Sequence, residues 1–161
     1  MRGIVTEDQW ASLLNAAAES EALRNKARAL VDTMAKAVEE DSRYAEVGLD
    51  VKPDGYGGAD FSSHVATGRL RFVHCLLDER LAARLIVERR RLNERDELVW
   101  QAVWAILIPQ RGDPLLAGGL GKPIEMRSTS RDKREASAYI AAMSVLYALL
   151  AGPDPALGDF K

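Results

Sequence analysis

The segment LVWQAVWAILI, residues 98–108, constrains the fold more than any other part of the chain. It contains no charged residue and is rich in aromatic and β-branched side chains, which favour β-strands. Its period of two predicts a strand with Trp100 and Trp104 on one face and Gln101 on the other. A strand this apolar requires partner strands and a covering layer. We therefore expect a sheet whose most apolar face, carrying both tryptophans, is covered by helices.

Three other segments supply candidate partner strands. Residues 44–52 and 69–77 alternate between apolar and polar side chains, which is the pattern of a half-buried strand. Residues 81–92 predict a further strand, although they are also rich in good helix formers and a helix stays open. Residues 110–123 are rich in glycine and proline and predict a loop, with a short helical turn at 115–117.

Helical periodicity begins near the N-terminus. Thr6 and Gln9 have the spacing of a capping box, so a helix is predicted to start there. Its first apolar stripe is followed by a second one that is rotated by about 100°. This rotation predicts a kink near Ser20, with the main helix ending near Asp41. The first stripe is Trp10, Leu13, Leu14 and Ala17, and the second is Leu23, Ala27, Leu30, Val31, Met34 and Val38.

A second helix is predicted near the C-terminus, after a cap at Thr129 or Ser130 and before a stop at Gly152. The uncharged run over residues 136–153 approaches the length of a membrane span. Its two serines, its glycine and its proline favour a buried helix instead. The predicted apolar face, packed on the sheet, is Ala136, Tyr139, Ile140, Met143, Tyr147 and Leu150.

Together these elements predict one α+β domain over residues 1–161. We expect N-terminal helices, a four-stranded antiparallel sheet and a C-terminal helix packed on the sheet. A mostly α-helical fold is the alternative. The expected arrangement is similar to that of small bacterial secretion chaperones and toxin-immunity proteins in architecture alone, and a shared architecture does not imply a shared function.

The loop DGYGGADFSSH, residues 54–64, is the first candidate for chemistry. It lacks the third glycine of a dinucleotide-binding loop because Asp60 stands at that position. It also lacks the G-x-S-x-G elbow that presents a catalytic serine. Tyr56, Asp60, Ser62 and His64 remain as a possible loop site.

No segment predicts a cofactor or a metal site. Residues 118–122 end in Gly-Lys but lack the first glycine and the hydroxyl of a phosphate-binding loop, which leaves only a backbone nest for a small anion. Two histidines and one cysteine are too few for a structural zinc site. The single cysteine, Cys75, excludes an internal disulfide. Together with the acidic N-terminal region, it favours a cytoplasmic protein.

Arginine is concentrated in the middle of the chain. Residues 61–95 carry eight arginines against four acids, whereas the whole chain has a net charge of -2. If residues 81–92 form a strand, four of these arginines share a sheet face with Gln101. Arginine among aliphatic side chains, with little lysine, is typical of protein interfaces. The predicted protein-binding residues are Arg69, Arg71, Arg84, Arg90 and Gln101.

The leading hypothesis is therefore a non-catalytic protein-interaction module of the adaptor, chaperone-like or inhibitor type. Its expected partner is another protein or a second copy in a homodimer, with no cofactor and no membrane span. One alternative is a small enzyme that uses residues 60–64, which requires His64 and His74 to meet at one pocket. The other is nucleic-acid binding by the same arginines, which the net charge of -2 disfavours.

Overall fold

The computed structural model describes residues 5–41, 45–116 and 122–153. Helix α1 spans Glu7–Glu40 and helix α2 spans Arg131–Ala151. Between them lie a short 3-10 helix at Ala45–Val47 and six strands. The strands are β1 (Asp50–Pro53), β2 (Ala59–Ser62), β3 (Thr67–Leu77), β4 (Arg80–Leu92), β5 (Leu98–Ile108) and β6 (Leu115–Leu116).

The strands form one antiparallel sheet in the order β1-β2-β3-β4-β5-β6, and both helices pack on the same side of it. Arg24 of α1 stacks on Phe72, and Leu149 of α2 packs on Gly68. These two β3 residues point the same way because they are four positions apart. We call this side the helix face and the opposite side the open face. The core on the helix face includes Leu23, Leu30, Met34, Phe61, Leu70, Leu85, Val87, Ile106 and Val145.

The predicted α+β class is confirmed, but the sheet has six strands where four were expected. Residues 44–52 contain β1 only at their end, because the 3-10 helix comes first; Tyr44 lies outside the described residues. β2 lies within residues 54–64, and its four residues are too few to reveal a period. β6 replaces the expected helical turn at 115–117, of which Ala117 is not described. Residues 81–92 belong to strand β4.

Helix α1 runs without a break through Ser20, so the predicted kink is wrong. The capping box at its start is confirmed: Thr6 Oγ1 accepts from the Gln9 amide at 3.2 Å, and Gln9 Oε1 accepts from the Thr6 amide at 3.0 Å. Because the helix stays continuous, its first apolar stripe keeps the rotation that the sequence gives it. That stripe therefore points away from the core.

The first part of α1 projects without buried side chains. Leu23 is the first buried residue of the helix, although Trp10, Leu13 and Leu14 before it are large and apolar. These three side chains are 57%, 55% and 68% exposed. We call residues 7–22 the arm. At 1.5 Å per residue it is about 24 Å long.

Helix α2 packs through small side chains, so the predicted apolar face is wrong. Of the residues predicted for that face, Tyr139 is buried, whereas Ile140 and Tyr147 are 49% and 70% exposed. The alanines of the true face allow the helix to lie close to the sheet. No helix in the described ranges is long and apolar enough to cross a membrane. The buried residues of α2 are Ala138, Tyr139, Ala141, Ala142, Val145, Leu146 and Leu149.

Lys26 fastens α1 to the turn that follows β5. Its ammonium group donates to the carbonyl oxygens of Pro109, Gln110 and Gly112 at 2.5, 3.2 and 3.0 Å. Burial lowers the pKa of Lys26, and the nearby Asp113 carboxylate partly opposes that effect. The helix layer and the far end of the sheet are therefore joined by a polar clamp as well as by the core.

Candidate functional site

The open face gathers most of the arginines of the sheet. The pairing registers place one negative side chain on β2 and one on β4, Asp60 and Glu88, among five arginines of β3 and β4. No helix of the described chain packs on this face. Four of the five predicted protein-binding residues thus lie together. The open-face arginines are Arg69, Arg71, Arg80, Arg84 and Arg90.

Glu88 organises the centre of this face. The residue is only 4% exposed, and its two carboxylate oxygens accept from Arg69 Nε at 2.8 Å and from Arg71 Nη2 at 2.7 Å. A buried carboxylate is strongly unfavourable unless it is paired in this way. The Arg69 and Arg71 side chains remain 33% and 46% exposed. Each therefore holds a fixed orientation while part of its side chain stays in contact with solvent.

Trp100 provides a second support for the arginines. The guanidinium carbon of Arg69 lies 3.9 Å from the centre of the Trp100 ring, and that of Arg90 lies 4.9 Å from it. Cations are attracted to the face of an indole ring at such distances. Arg69 is thus held by Glu88 and by Trp100, and a partner has less side-chain entropy to remove on binding.

A bulge in β5 explains why Trp100 lies on this face. Val87 pairs with Trp104, whereas the next residue, Glu88, pairs with Ala102. Val103 is therefore an extra residue in β5. A bulge of one residue reverses which side chains point to each face. Every residue of β5 before the bulge lies on the face opposite to the one predicted from strict alternation.

Two predictions fail at the bulge. Trp100 was expected beneath the helices and lies on the open face, whereas Gln101 was expected among the open-face arginines and lies on the helix face. Gln101 accepts from Arg89 Nε at 3.3 Å, and Arg89 Nη1 donates to the Leu149 carbonyl of α2 at 3.4 Å. Gln101 is therefore excluded from the group of open-face residues. No residue type in β5 signals the bulge.

Cys75 lies half-buried on the open face, which gives a prediction for its chemistry. Burial raises the pKa of the Cys75 thiol, and the positive charge of Arg84 lowers it in part. We expect less thiolate at neutral pH than for a free cysteine, and hence slow alkylation by iodoacetamide that accelerates at alkaline pH. Arg84→Glu raises the pKa further and slows alkylation again. Rapid alkylation of the native protein at pH 7 contradicts this assignment.

The glycine-rich turn at residues 54–58 has a structural explanation. Asp54 Oδ1 accepts from the amides of Tyr56 and Gly58 at 2.7 and 3.1 Å. Gly57 has a φ of +96° and lies against Ala27 of α1. This tight packing needs glycine because a β-carbon has no low-energy place there. The turn is therefore fixed against α1 by its own backbone geometry.

The four residues of the possible loop site do not converge. Tyr56 lies in the turn before β2, Asp60 and Ser62 lie on the open face of β2, and His64 follows the strand. The His64 ring packs on Gly48, and its Nδ1 lies 3.0 Å from the Glu46 carbonyl oxygen.

His74 lies far from His64, toward the other end of β3. Its Nε2 is 2.8 Å from Ser20 Oγ of α1, and its ring meets the edge of Phe72 at a centroid distance of 5.0 Å. The seven residue steps from Thr67 to His74 span about 24 Å of strand. The enzyme alternative required the two histidines to meet at one pocket. Their positions do not meet this requirement.

A polar cavity of about 290 Å³ lies between the glycine-rich turn and the edge of β3. It connects Tyr56 and Asp60 with Arg69 and Arg71 of the open face. Arg24 also lines it, but its Nη1 donates to the Tyr56 carbonyl oxygen at 3.1 Å. Arg24 is therefore bonded to the backbone of the turn, and Arg69 and Arg71 are paired with Glu88 outside the cavity.

An apolar cavity of about 760 Å³ lies between α2 and β5. Its size suits a small-molecule pocket, but such a pocket also needs a few convergent polar groups. Among the described residues that line it, none carries a charge. It is an apolar groove on the outer side of α2, formed by Val103, Trp104, Tyr139, Ile140, Met143, Ser144, Tyr147, Ala148, Ala151, Gly152 and Pro153.

No group of three or more potential metal ligands occurs in the part of the chain that the structure describes. The candidate anion nest at 118–122 lies outside the described residues, except for Lys122. Comparison with protein-family models, with curated proteins and with solved structures found no match.

Proposed function

We propose that this protein is a non-catalytic interaction module that binds a protein partner through the open face of its sheet. The observation that carries the proposal is the group formed by Arg69, Arg71, Arg90, Glu88 and Trp100. Its arginines are held in place by a buried carboxylate and an indole ring. Ion pairing and ring stacking thus orient the arginines before any partner arrives.

The composition of the open face also supports protein binding. Arginine and tryptophan are the residue types that contribute most often to binding energy in interfaces. Val73 and Cys75 continue the face along β3 as half-buried apolar groups beside Arg84. An acidic protein segment with apolar side chains is the partner chemistry that this mixture complements.

The test is the native mass of the purified protein by light scattering, with identification of any protein that co-elutes. We expect a discrete complex, either with another protein or with a second copy. The variant Arg84→Glu with Arg90→Glu is expected to dissociate it, because each reversal places a negative charge on the binding face. This pair is preferred to Arg69 and Arg71, which are needed to compensate Glu88.

The matched control is Arg91→Glu with Arg95→Glu. Arg91 pairs with Val99, which places it off the open face, and Arg95 lies in the β4–β5 turn. Both double variants change the net charge by the same amount. Equal dissociation by the two variants contradicts a specific open-face site, as does a complex that survives Arg84→Glu with Arg90→Glu.

Nucleic-acid binding is a second candidate because Trp100 is an aromatic side chain, 38% exposed, among arginines on a sheet face. Such faces bind single strands by stacking bases on exposed rings. The Trp100 ring is already contacted by Arg69 and Arg90, which favours the protein partner. Titration with single-stranded RNA of a variant that retains Trp100 as its single tryptophan separates the two: binding that quenches its fluorescence and weakens steeply with salt supports the nucleic-acid alternative.

A further inference from the structure

We infer that the partner of the open face is the arm of a second copy of this chain. This inference rests on the proposed function and names the partner for the same site. Two features of one chain carry it: an apolar helical stripe that no described residue covers, and an arginine-bearing sheet face on which no described helix packs.

The charges of the two surfaces are complementary. Residues 5–23 contain four acids and no lysine or arginine. The open face of β2 to β5 carries five arginines against two acids. Docking the arm on this face therefore joins opposite charges. The acids of this segment are Glu7, Asp8, Glu19 and Glu21.

The position of the acids on the helix makes the match more specific. At 100° per residue, Glu7 and Glu21 lie on the same side of the arm as the stripe formed by Trp10, Leu13 and Leu14, one before it and one after it along the helix. The other two acids point to the back of the arm. A helix that lays its apolar stripe against Trp100 and its neighbours thus brings Glu7 toward the arginines, together with Glu21, whose carboxylate also lies 3.5 Å from Arg28 Nη1 of its own helix.

The same charges disfavour two other apolar surfaces as docking sites for the arm, namely a second arm and the groove between α2 and β5. Pairing of two arms through their stripes brings Glu7 and Glu21 of one copy toward the same two acids of the other, which is repulsive. The described residues that line the apolar groove between α2 and β5 carry no charge, so the acids gain no partner from them. The open face is the described surface that satisfies both the stripe and its charges.

The size of the contact favours reciprocal docking. An arm about 24 Å long and about 10 Å wide covers about 240 Å² on each of the two surfaces that meet. One docked arm is therefore too small for a specific interface, whereas two reciprocal arms approach the threshold of about 1,000 Å². A two-fold pair, in which each copy donates its arm, is the closed arrangement.

The experiment measures the mass of the full chain by sedimentation over a range of concentrations and at two ionic strengths. We expect an equilibrium between a dimer and a monomer, whose mass is 17.7 kDa. The dimer should be weaker at high salt. Glu7→Lys with Glu21→Lys is expected to raise the dissociation constant about tenfold. The control Asp8→Lys with Glu19→Lys, which alters the back of the arm, should have a much smaller effect.

The decisive variant combines the reversed arm, Glu7→Lys with Glu21→Lys, and the reversed face, Arg84→Glu with Arg90→Glu. Each reversal alone should weaken the dimer, and the combination should restore it. A chain that stays monomeric at every concentration overturns the inference. A dimer that is disrupted by Tyr147→Glu in the groove but not by Arg84→Glu with Arg90→Glu also overturns it. If the chain is monomeric but the reversed face abolishes binding of another protein, the inference fails and the proposed function stands.

Discussion

Replacing both Arg69 and Arg71 with alanine is expected to lower the free energy of unfolding by about 3 kcal/mol. The two substitutions remove both ion pairs of the Glu88 carboxylate, and Glu88 is only 4% exposed in the folded protein. Loss of a partner from a buried pair costs about 3–5 kcal/mol. We expect the lower end because the missing arginines also open a path for water to Glu88. Urea denaturation followed by circular dichroism measures the change.

A third substitution separates charge burial from a simple loss of contacts. Adding Glu88→Leu to Arg69→Ala and Arg71→Ala removes the unpaired carboxylate, so we expect much of the lost stability to return. Arg91→Ala with Arg95→Ala serves as the control, because both side chains are exposed, and should change stability by less than about 0.5 kcal/mol. If the triple variant is no more stable than the double variant, Glu88 is not the cause.

Replacing Gly68 with valine is expected to destabilise the protein by about 3 kcal/mol. A β-carbon on Gly68 would overlap both the Leu149 side chain of α2 and the carbonyl oxygen of Glu88. The leucine has rotamers with which to retreat, but the carbonyl belongs to the backbone of β4 and can move only with its strand. Thermal or urea denaturation measures the loss.

Two comparisons test the origin of that loss. Thr67→Val changes the neighbouring, exposed position of β3 and should have little effect or a slightly stabilising one. Leu149→Ala combined with Gly68→Val relieves only the side-chain overlap, so we expect partial recovery relative to the sum of the two single variants. Full stability of Gly68→Val would show that α2 can shift away from β3 at little cost.

The sequence predicted the central strands because their packing is expressed in residue types. β5 matches the predicted residues 98–108, and β4 was identified despite its many helix formers. The shared face of Arg69, Arg71, Arg84 and Arg90 follows from simple alternation along β3 and β4. The short strands β2 and β6 were not predicted, and β1 was predicted over too long a range, because the pairing of these strands comes from neighbouring backbone and not from a pattern of their own.

The positions of Trp100 and Gln101 could not be predicted, because a bulge is a property of pairing between strands. Nothing within β5 marks Val103 as the extra residue; the register with β4 does. The candidate site therefore gained Trp100 and lost Gln101. Alternation along β4 puts Glu88, the central acid of the site, on the same face as Arg84 and Arg90, but its burial between Arg69 and Arg71 depends on the register of β3 with β4.

The two helices show how one pattern can have two meanings. The rotation between the two stripes of α1 is correct, but the predicted kink near Ser20, which would turn both stripes toward one core, is not. In a straight helix with two stripes, one stripe packs into the core of its own chain, and the other stripe stays exposed on a different side of the helix. In α2 the large residues formed the more conspicuous stripe, yet the small residues pack inside because they permit closer approach.

The three tryptophans of the chain lie on three separate surfaces. Trp10 is on the arm, Trp100 is on the open face, and Trp104 lines the groove beside α2. The bulge at Val103 separates the last two by placing them on opposite sides of the sheet. Variants that retain one tryptophan each would therefore carry an intrinsic optical label on a single surface. The emission of each would show, without any attached dye, which surface loses contact with water when a complex forms.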